Sequence, residues 1–341
     1  MIVLTAEALR AHIAGIPGIR SYKRRFCYDK FKDLVVNTRD MKVVALHGLK
    51  NTGKKVLMAQ LIMDIGQYDN ICLIRCTADD DMEDLRNAIE EHAGCTYFFV
   101  DEAPLLKNFS IKVSELSDIY SAGHRIVLSG TNSQAFYIAR LCELYGKIHM
   151  IPTTWISYKE YNCLLGRSLN DYIQHGGTLT PDNDFCSSEA GKAYVMSAII
   201  GNILHSQDIA RRESRDIFTV YRYKNKLTAY LAKFLDLYMS QLAVQVIKNC
   251  MSKSRDRDAF CKLLSTMEDI SIKKGITDAF DLSGRYWESR VDEGIAYASA
   301  YLEASDVMYP VPDSDEAVFT QPGLRYSQCT AQIRFLMKDC H

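Results

Sequence analysis

Short apolar runs alternate with helical patterns over residues 25–156 of the chain. The runs are continuous rather than alternating, which is typical of strands buried on both faces of a parallel sheet. The predicted order is strand 41–46, helix 54–67, strand 70–76, helix 81–92, strand 95–100, helix 111–122 and strand 124–128. This pattern predicts an α/β domain built from βαβ units, in which helices flank a parallel sheet.

The segments on either side of this domain are predicted to be mostly helical. Residues 1–24 indicate a short amphipathic helix and a basic link, which we interpret as an N-terminal helical extension. Residues 157–341 are predicted to form a mostly helical C-terminal domain, within which residues 227–251 place apolar side chains at three- and four-residue spacing.

Composition narrows the class of protein. Hydrophobic residues make up 48% of the chain and charged residues 24%, with a formal net charge of −1. These values exclude a disordered chain and give no overall attraction to nucleic acid or to an anionic membrane. The eleven cysteines show neither zinc spacing nor a C-x-x-C pair, and no apolar run is long enough to span a membrane. We therefore predict a cytoplasmic protein with reduced thiols and no membrane partner.

The strongest motif is GLKNTGKK at residues 48–55, between a predicted strand and a predicted helix. Glycines let the backbone wrap around phosphate groups, the helix N-terminus adds a favourable dipole, and Lys54 would reach the β- and γ-phosphates. The alternative is an ordinary strand-to-helix turn with two glycines. The order of strand, loop and helix favours nucleotide binding, and the predicted contacts are Gly48, Lys50, Asn51, Thr52, Gly53, Lys54, Lys55 and Val56.

Lys55 departs from this motif. The residue after the loop lysine is normally Ser or Thr, whose hydroxyl coordinates Mg²⁺, and a lysine offers no oxygen ligand. Two arrangements follow: either Mg²⁺ is held by Asp101, phosphates and water, or Lys55 turns outwards and metal binding is weak. In either arrangement, Lys55 argues against efficient hydrolysis more strongly than it argues against nucleotide binding.

A second motif is YFFVDE at residues 97–102, an apolar strand that ends in two acids. In a P-loop ATPase, Asp101 would hold Mg²⁺ and Glu102 would act as the general base on the attacking water. Apolar strands also end in acids at ordinary solvent-facing edges. The spacing along the sequence between the loop lysine, Lys54, and Asp101 favours the catalytic interpretation.

A third run, IVLSGTNS at residues 126–133, ends in small hydrogen-bonding side chains. In a P-loop ATPase with an inserted strand, this end lies between the other two motifs and can sense the γ-phosphate or the attacking water. Ser129 and Thr131 are therefore candidate nucleotide contacts, and Asn132 is a candidate catalytic residue. A simple turn or helix cap is an equal competitor.

These motifs resemble a group of prokaryotic AAA-type P-loop ATPases. The matching segments are GLKNTGKKVLMAQ, FFVDEAPLLKNF, RIVLSGTNSQAFYIA, TTWISYKEYNCLLG with YIQHGGTL, and the tail VFTQPGLRYSQCTAQIRFLM. The resemblance implies an AAA-like core with bound ATP and Mg²⁺, followed by a helical region. In this group a restriction-nuclease-like domain often follows, and because the chain ends at His341 we expect no nuclease activity. The group has Asp-Arg where this chain has Gly146-Lys147, which also argues against efficient hydrolysis.

Three functions follow from these observations. The first is a slow, Mg²⁺-dependent ATPase that acts as a nucleotide-dependent switch for a protein partner. The second is a non-catalytic, nucleotide-binding adaptor. The third is a DNA-associated regulator, for which the aromatic and basic run YRYKNK at residues 221–226 is the candidate surface, although a plain helical surface explains that run better.

Overall fold

The computed structural model describes residues 1–40, 42–116, 123–141, 143–180, 185, 187–200, 202, 305–312, 317–324 and 326. Six strands form the main sheet: β1 (Ile2–Thr5), β2 (Val43–His47), β3 (Ile71–Arg75), β4 (Tyr97–Asp101), β5 (Arg125–Gly130) and β6 (Ile148–Pro152). The helices are α1 (Ala6–Ala14), α2 (Tyr28–Lys32), α3 (Lys54–Ile65), α4 (Met82–Glu91), α5 (Phe109–Lys112), α6 (Ser133–Leu141), α7 (Tyr158–Leu165), α8 (Leu169–His175) and α9 (Ser188–Tyr194).

The strand order of the sheet is β1-β3-β4-β5-β2-β6. All neighbouring strands are parallel except β1, which pairs antiparallel with β3. Strand β5 lies between β2 and β4, so it separates the strand before the glycine-rich loop from the strand that ends in two acids. Parallel strands place their carboxyl ends at one edge, which brings the three motifs together.

The sheet has a hydrophobic core on each face. In β2, Val43 and Ala45 pack on one face and Val44 and Leu46 on the other, because successive side chains of a strand point in opposite directions. The first face is covered by residues of α4 and α6, and the second by residues of α1, α2 and α3. All five residues of β2 are buried, which explains why the strand reads as a continuous apolar run. The prediction of a parallel α/β sheet with flanking helices is confirmed.

Two strands of the main sheet were not predicted. Residues 1–24 do not form a purely helical extension, because Ile2–Thr5 adds an edge strand to the sheet before α1 begins. Strand β6, at Ile148–Pro152, pairs with β2 at the opposite side of that strand from β5. Strand β1 is an apolar run of only three residues followed by Thr5 and is partly exposed, and His149 interrupts the apolar residues of β6.

Beyond residue 157 the described residues contain helices α7 to α9, a π-helical segment at Val195–Ile200 and a small antiparallel pair, β7 (Met308–Pro310) and β8 (Ala317–Phe319). Among the described residues, no helix has both the length and the apolar character needed to cross a membrane. The predicted helix at 227–251 and the basic, aromatic run at 221–226 lie outside the described residues. The division of the chain at residues 24 and 156 stays a prediction.

Candidate functional site

The glycine-rich loop joins β2 to α3, as the motif predicts. Gly48 has φ +143° and a Cβ there would lie 2.5 Å from Thr153 Oγ1 and 2.6 Å from Thr154 Oγ1. Gly53, the residue before α3, has φ +91°. Both positions therefore use backbone conformations that favour glycine, and at Gly48 the packing admits no side chain.

Lys54 is the first residue of α3 and its ammonium lies inside the loop. Its Nζ donates to the carbonyl oxygens of Gly48 and Leu49 at 2.7 Å each. Burial lowers the pKa of Lys54 to about 8, while the nearby carboxylates of Glu102 and Asp101 act in the opposite direction. A buried cation that is held by carbonyl oxygens is well placed to exchange them for the oxygens of an anion.

Two threonines that follow β6 make hydrogen bonds with the loop and with the end of β2. Thr154 Oγ1 accepts from the backbone N–H of Leu49 at 2.9 Å, and the hydroxyls of Thr52 and Thr153 lie 2.8 Å apart. Thr153 Oγ1 also donates to the carbonyl oxygen of His47 at 2.9 Å. The sequence did not indicate these contacts because the threonines are about a hundred residues away from the loop along the chain.

Arg25 and Glu160 form a buried ion pair next to the loop. The guanidinium Nε lies 2.9 Å from Glu160 Oε1, and Nη2 lies 3.0 Å from Oε2, so the pair is bidentate. Arg25 Nη1 also donates to the carbonyl oxygens of Thr52 and Thr153 at 2.7 and 2.6 Å. One side chain thus connects the link before α2, the loop, the end of β6 and helix α7.

The two acids at the carboxyl end of β4 lie in different environments. The Asp101 carboxylate is buried, accepts from Ser129 Oγ at 2.8 Å and lies 3.3 Å from Lys55 Nζ. Arg75 Nε is 3.9 Å from the same Oδ2 oxygen. Asp101 is therefore balanced by cations that the protein itself supplies, and the ammonium of the mostly exposed Lys55 side chain lies beside it.

Glu102 has a left-handed backbone with φ +55° and ψ +39°, an unusual conformation for a residue with a side chain. Its Oε2 accepts from the backbone N–H of Thr131 at 3.1 Å and from the Thr131 hydroxyl at 3.2 Å. The end of β5 therefore holds the carboxylate that the sequence nominates as general base. Such backbone strain is often found at functional sites.

The remaining predicted site residues are Asn132 and three residues of or next to the glycine-rich loop, Lys50, Asn51 and Val56. Asn132 Oδ1 accepts from the backbone N–H of Ala135 at 3.2 Å, which is the helix-cap alternative left open by the sequence. Lys50 is exposed and Val56 is partly buried against the core. The carbonyl oxygens of Lys50 and Asn51 accept from Tyr194 OH at 2.9 Å and from the backbone N–H of Leu179 at 2.8 Å.

A segment near the C-terminus also contacts this edge of the sheet. Asp306 accepts from the hydroxyls of Ser133 and Tyr137, and one of its oxygens lies 3.3 Å from His47 Nδ1. Gln321 Nε2 donates to the hydroxyl of Tyr194 at 3.0 Å. The loop is thereby connected, through a few hydrogen bonds, to residues more than 140 positions further along the chain.

A magnesium ion does not fit the residues as they stand. The position that normally supplies a hydroxyl ligand is Lys55, and its ammonium lies beside the Asp101 oxygen that the ion would need. The other Asp101 oxygen accepts from Ser129. Within the part of the chain that the structure describes, no group of three or more His, Cys, Asp or Glu side chains is arranged to hold a metal ion.

The fold and this geometry define a class of protein. A glycine-rich loop follows a central parallel strand, a lysine lies inside it, and an inserted strand separates it from a strand that ends in Asp-Glu. That arrangement is the P-loop nucleoside triphosphatase fold of the AAA type. Residues 40–162 match the family model described as an AAA domain.

No curated protein sequence matches the chain. Similar solved structures include the RuvB Holliday junction branch migration motor of Thermotoga maritima, with 15% identity, a TM-score of 0.33, and coverage of 86% of this chain and 90% of that chain. The ORC2 protein of Aeropyrum pernix, solved in ADPNP and ADP complexes, has 10% identity, a TM-score of 0.36, and coverage of 100% and 96%. AMPPCP-bound DnaA from Aquifex aeolicus has 12% identity, a TM-score of 0.30, and coverage of 81% and 85%.

Proposed function

We propose that this chain is a cytoplasmic, ATP-binding molecular switch that hydrolyses its nucleotide slowly. The observation that carries the proposal is the buried ammonium of Lys54 inside the loop at residues 48–54, bonded only to the carbonyl oxygens of Gly48 and Leu49 in the contacts described above. In the proposed complex, phosphate oxygens replace those carbonyls. The N-terminus of α3 adds a favourable dipole for the negative charge.

Glu102 is the proposed general base for hydrolysis. It lies at the carboxyl end of β4, at the same edge of the sheet as the loop, and its charge influences Lys54. Both hydrogen bonds from Thr131 reach Oε2, so they would fix the orientation of the carboxylate while Oε1 accepts the proton from water.

The switch would be transmitted through the loop carbonyls. Lys50 and Asn51 bond to Tyr194 and Leu179, so a change in loop conformation on nucleotide binding would break or rearrange those contacts. Tyr194 in turn bonds to Gln321. We propose that this chain of contacts changes a surface that a protein partner recognises.

The test is ATP binding by calorimetry, in parallel with phosphate release, on the full chain and three variants. Lys54→Ala is expected to lower affinity at least about tenfold, because it removes the phosphate-facing cation. Glu102→Gln is expected to keep binding and lose release, while the exposed Glu91→Gln serves as the matched control and keeps both. Wild-type affinity in Lys54→Ala, or no binding by the wild type, would contradict the proposal.

A second function is favoured by the ion pair between Lys55 and Asp101. A site whose acid is already paired with lysine could bind ATP without turning it over, as a non-catalytic adaptor would. This alternative predicts that ATP raises the melting temperature of the wild type with no phosphate release above background. Release that disappears in Glu102→Gln would refute it.

A further inference from the structure

The side chain of Lys55 lies where a P-loop protein normally directs a metal-binding hydroxyl. Lys55 is the second residue of α3, directly after the loop lysine, and its side chain is 59% exposed. Although it has free access to solvent, its ammonium lies 3.3 Å from Oδ2 of Asp101. Asp101 is the acid that the sequence pattern assigns to Mg²⁺.

The Asp101 carboxylate has its charge balanced within the protein. Its side chain is only 6% exposed, and a buried carboxylate needs hydrogen bonds and a nearby cation. Ser129 supplies the hydrogen bond at 2.8 Å, Lys55 supplies the closest cation, and Arg75 supplies a second cation at 3.9 Å. A divalent ion bound to Asp101 would have to displace the Lys55 ammonium and would be repelled by Arg75.

An ammonium can perform part of what the metal does. It has three N–H donors, so Lys55 can keep one contact with Asp101 and direct the others to phosphate oxygens. Lys54 and Lys55 together would present two positive charges to the phosphates. A loop lysine and a magnesium ion would together present three. The lower charge at the γ-phosphate also agrees with slow hydrolysis.

We propose that Lys55 is a tethered cation that takes the place of the magnesium ion, so that this site binds nucleotide independently of divalent metal. The inference rests on the nucleotide binding proposed above, and adds which form of the nucleotide the site accepts: the metal-free polyphosphate. Metal-free binding is a property that a P-loop with Ser or Thr at this position is not expected to have.

The test compares the affinity of the full chain for ATP in EDTA and in excess Mg²⁺, measured by calorimetry. For the wild type we expect the two affinities to agree within about threefold. Lys55→Thr frees Asp101 and restores a hydroxyl ligand, and we expect its affinity to be at least about tenfold weaker in EDTA than in Mg²⁺. Lys55→Arg keeps the charge and should remain independent of metal, and the exposed Lys30→Thr controls for loss of a surface lysine.

The outcomes separate this inference from the proposed function. Wild-type binding that needs Mg²⁺, with the same dependence in Lys55→Thr, overturns the tethered cation and leaves nucleotide binding intact. No binding in either solution overturns both. If Lys55→Thr does not fold, as judged by circular dichroism, the wild type and Lys55→Arg still decide: independence of metal in both supports the inference, and dependence in both overturns it.

Discussion

Replacing Arg25 with alanine tests how the loop is held in place. Its guanidinium is 6% exposed and makes a bidentate pair with Glu160, and it also donates to the carbonyl oxygens of Thr52 and Thr153. Arg25→Ala leaves the Glu160 carboxylate buried without its cation, and it removes the guanidinium donor from the carbonyl oxygens of Thr52, Thr153 and Trp155. Breaking a buried pair in this way costs about 3–5 kcal/mol of stability. At roughly 2–4 °C for each kcal/mol, the melting temperature should fall by about 6–20 °C.

The neighbouring Arg24 provides a matched control. It also pairs with a carboxylate, Asp64 at 2.6 Å, and its side chain is 50% exposed. Solvent screens such a pair, so Arg24→Ala should cost only about 0–1 kcal/mol. Scanning calorimetry of both variants gives the comparison. A similar small shift in the two variants would refute the reasoning that burial and the shared carbonyl contacts make Arg25 important.

A double variant separates lost charge balance from lost packing. Arg25→Met with Glu160→Leu removes both charges, so no carboxylate is left buried without a partner. Apolar replacement of a buried ion pair is often neutral or stabilising, and we expect this variant to recover part of the loss seen in Arg25→Ala. A double variant that is less stable than Arg25→Ala would show that the charge on Glu160 is not the source of the cost.

Two further predictions concern the loop. Because burial lowers the pKa of Lys54 to about 8 and bound phosphate would raise it, ATP affinity should be steady below that pH and fall by up to about tenfold per pH unit above it. Lys54→Arg, which stays protonated, should give a flat profile if it binds, and a flat wild-type profile in calorimetric titrations would contradict the assignment. Gly48→Ala should cost roughly 1–3 kcal/mol from backbone strain and about as much again from overpacking against two threonines. Gly146 has φ +70° and open space around an added methyl group, so Gly146→Ala should lower the free energy of unfolding by only about 1–2 kcal/mol. Equal losses of stability in the two variants, measured by thermal unfolding, would argue against a close fit at Gly48.

The local sequence determined the central part of the fold and the main features of the site. Strands β2 to β5 are continuous apolar runs because both faces of a parallel sheet are buried, and such runs are visible without any knowledge of neighbours. The loop at residues 48–54 depends on glycines at two fixed positions and a lysine at the start of a helix, which is also a local pattern. The expectation that β5 lies between the two motifs is confirmed by its pairing with β2 and β4.

Only the tertiary structure decided how distant side chains meet. The edge strand at Ile2–Thr5, the Arg25–Glu160 pair and the direction of Lys55 all depend on partners far away in the chain. The pairing of a short apolar run such as Ile2–Thr5 and the burial of a charged residue are both set by residues that are distant in the sequence. The sequence allowed Lys55 either to leave room for a metal or to turn outwards. In the structure the Lys55 ammonium instead lies beside the buried Asp101 carboxylate, because a charge that is removed from water needs a nearby cation.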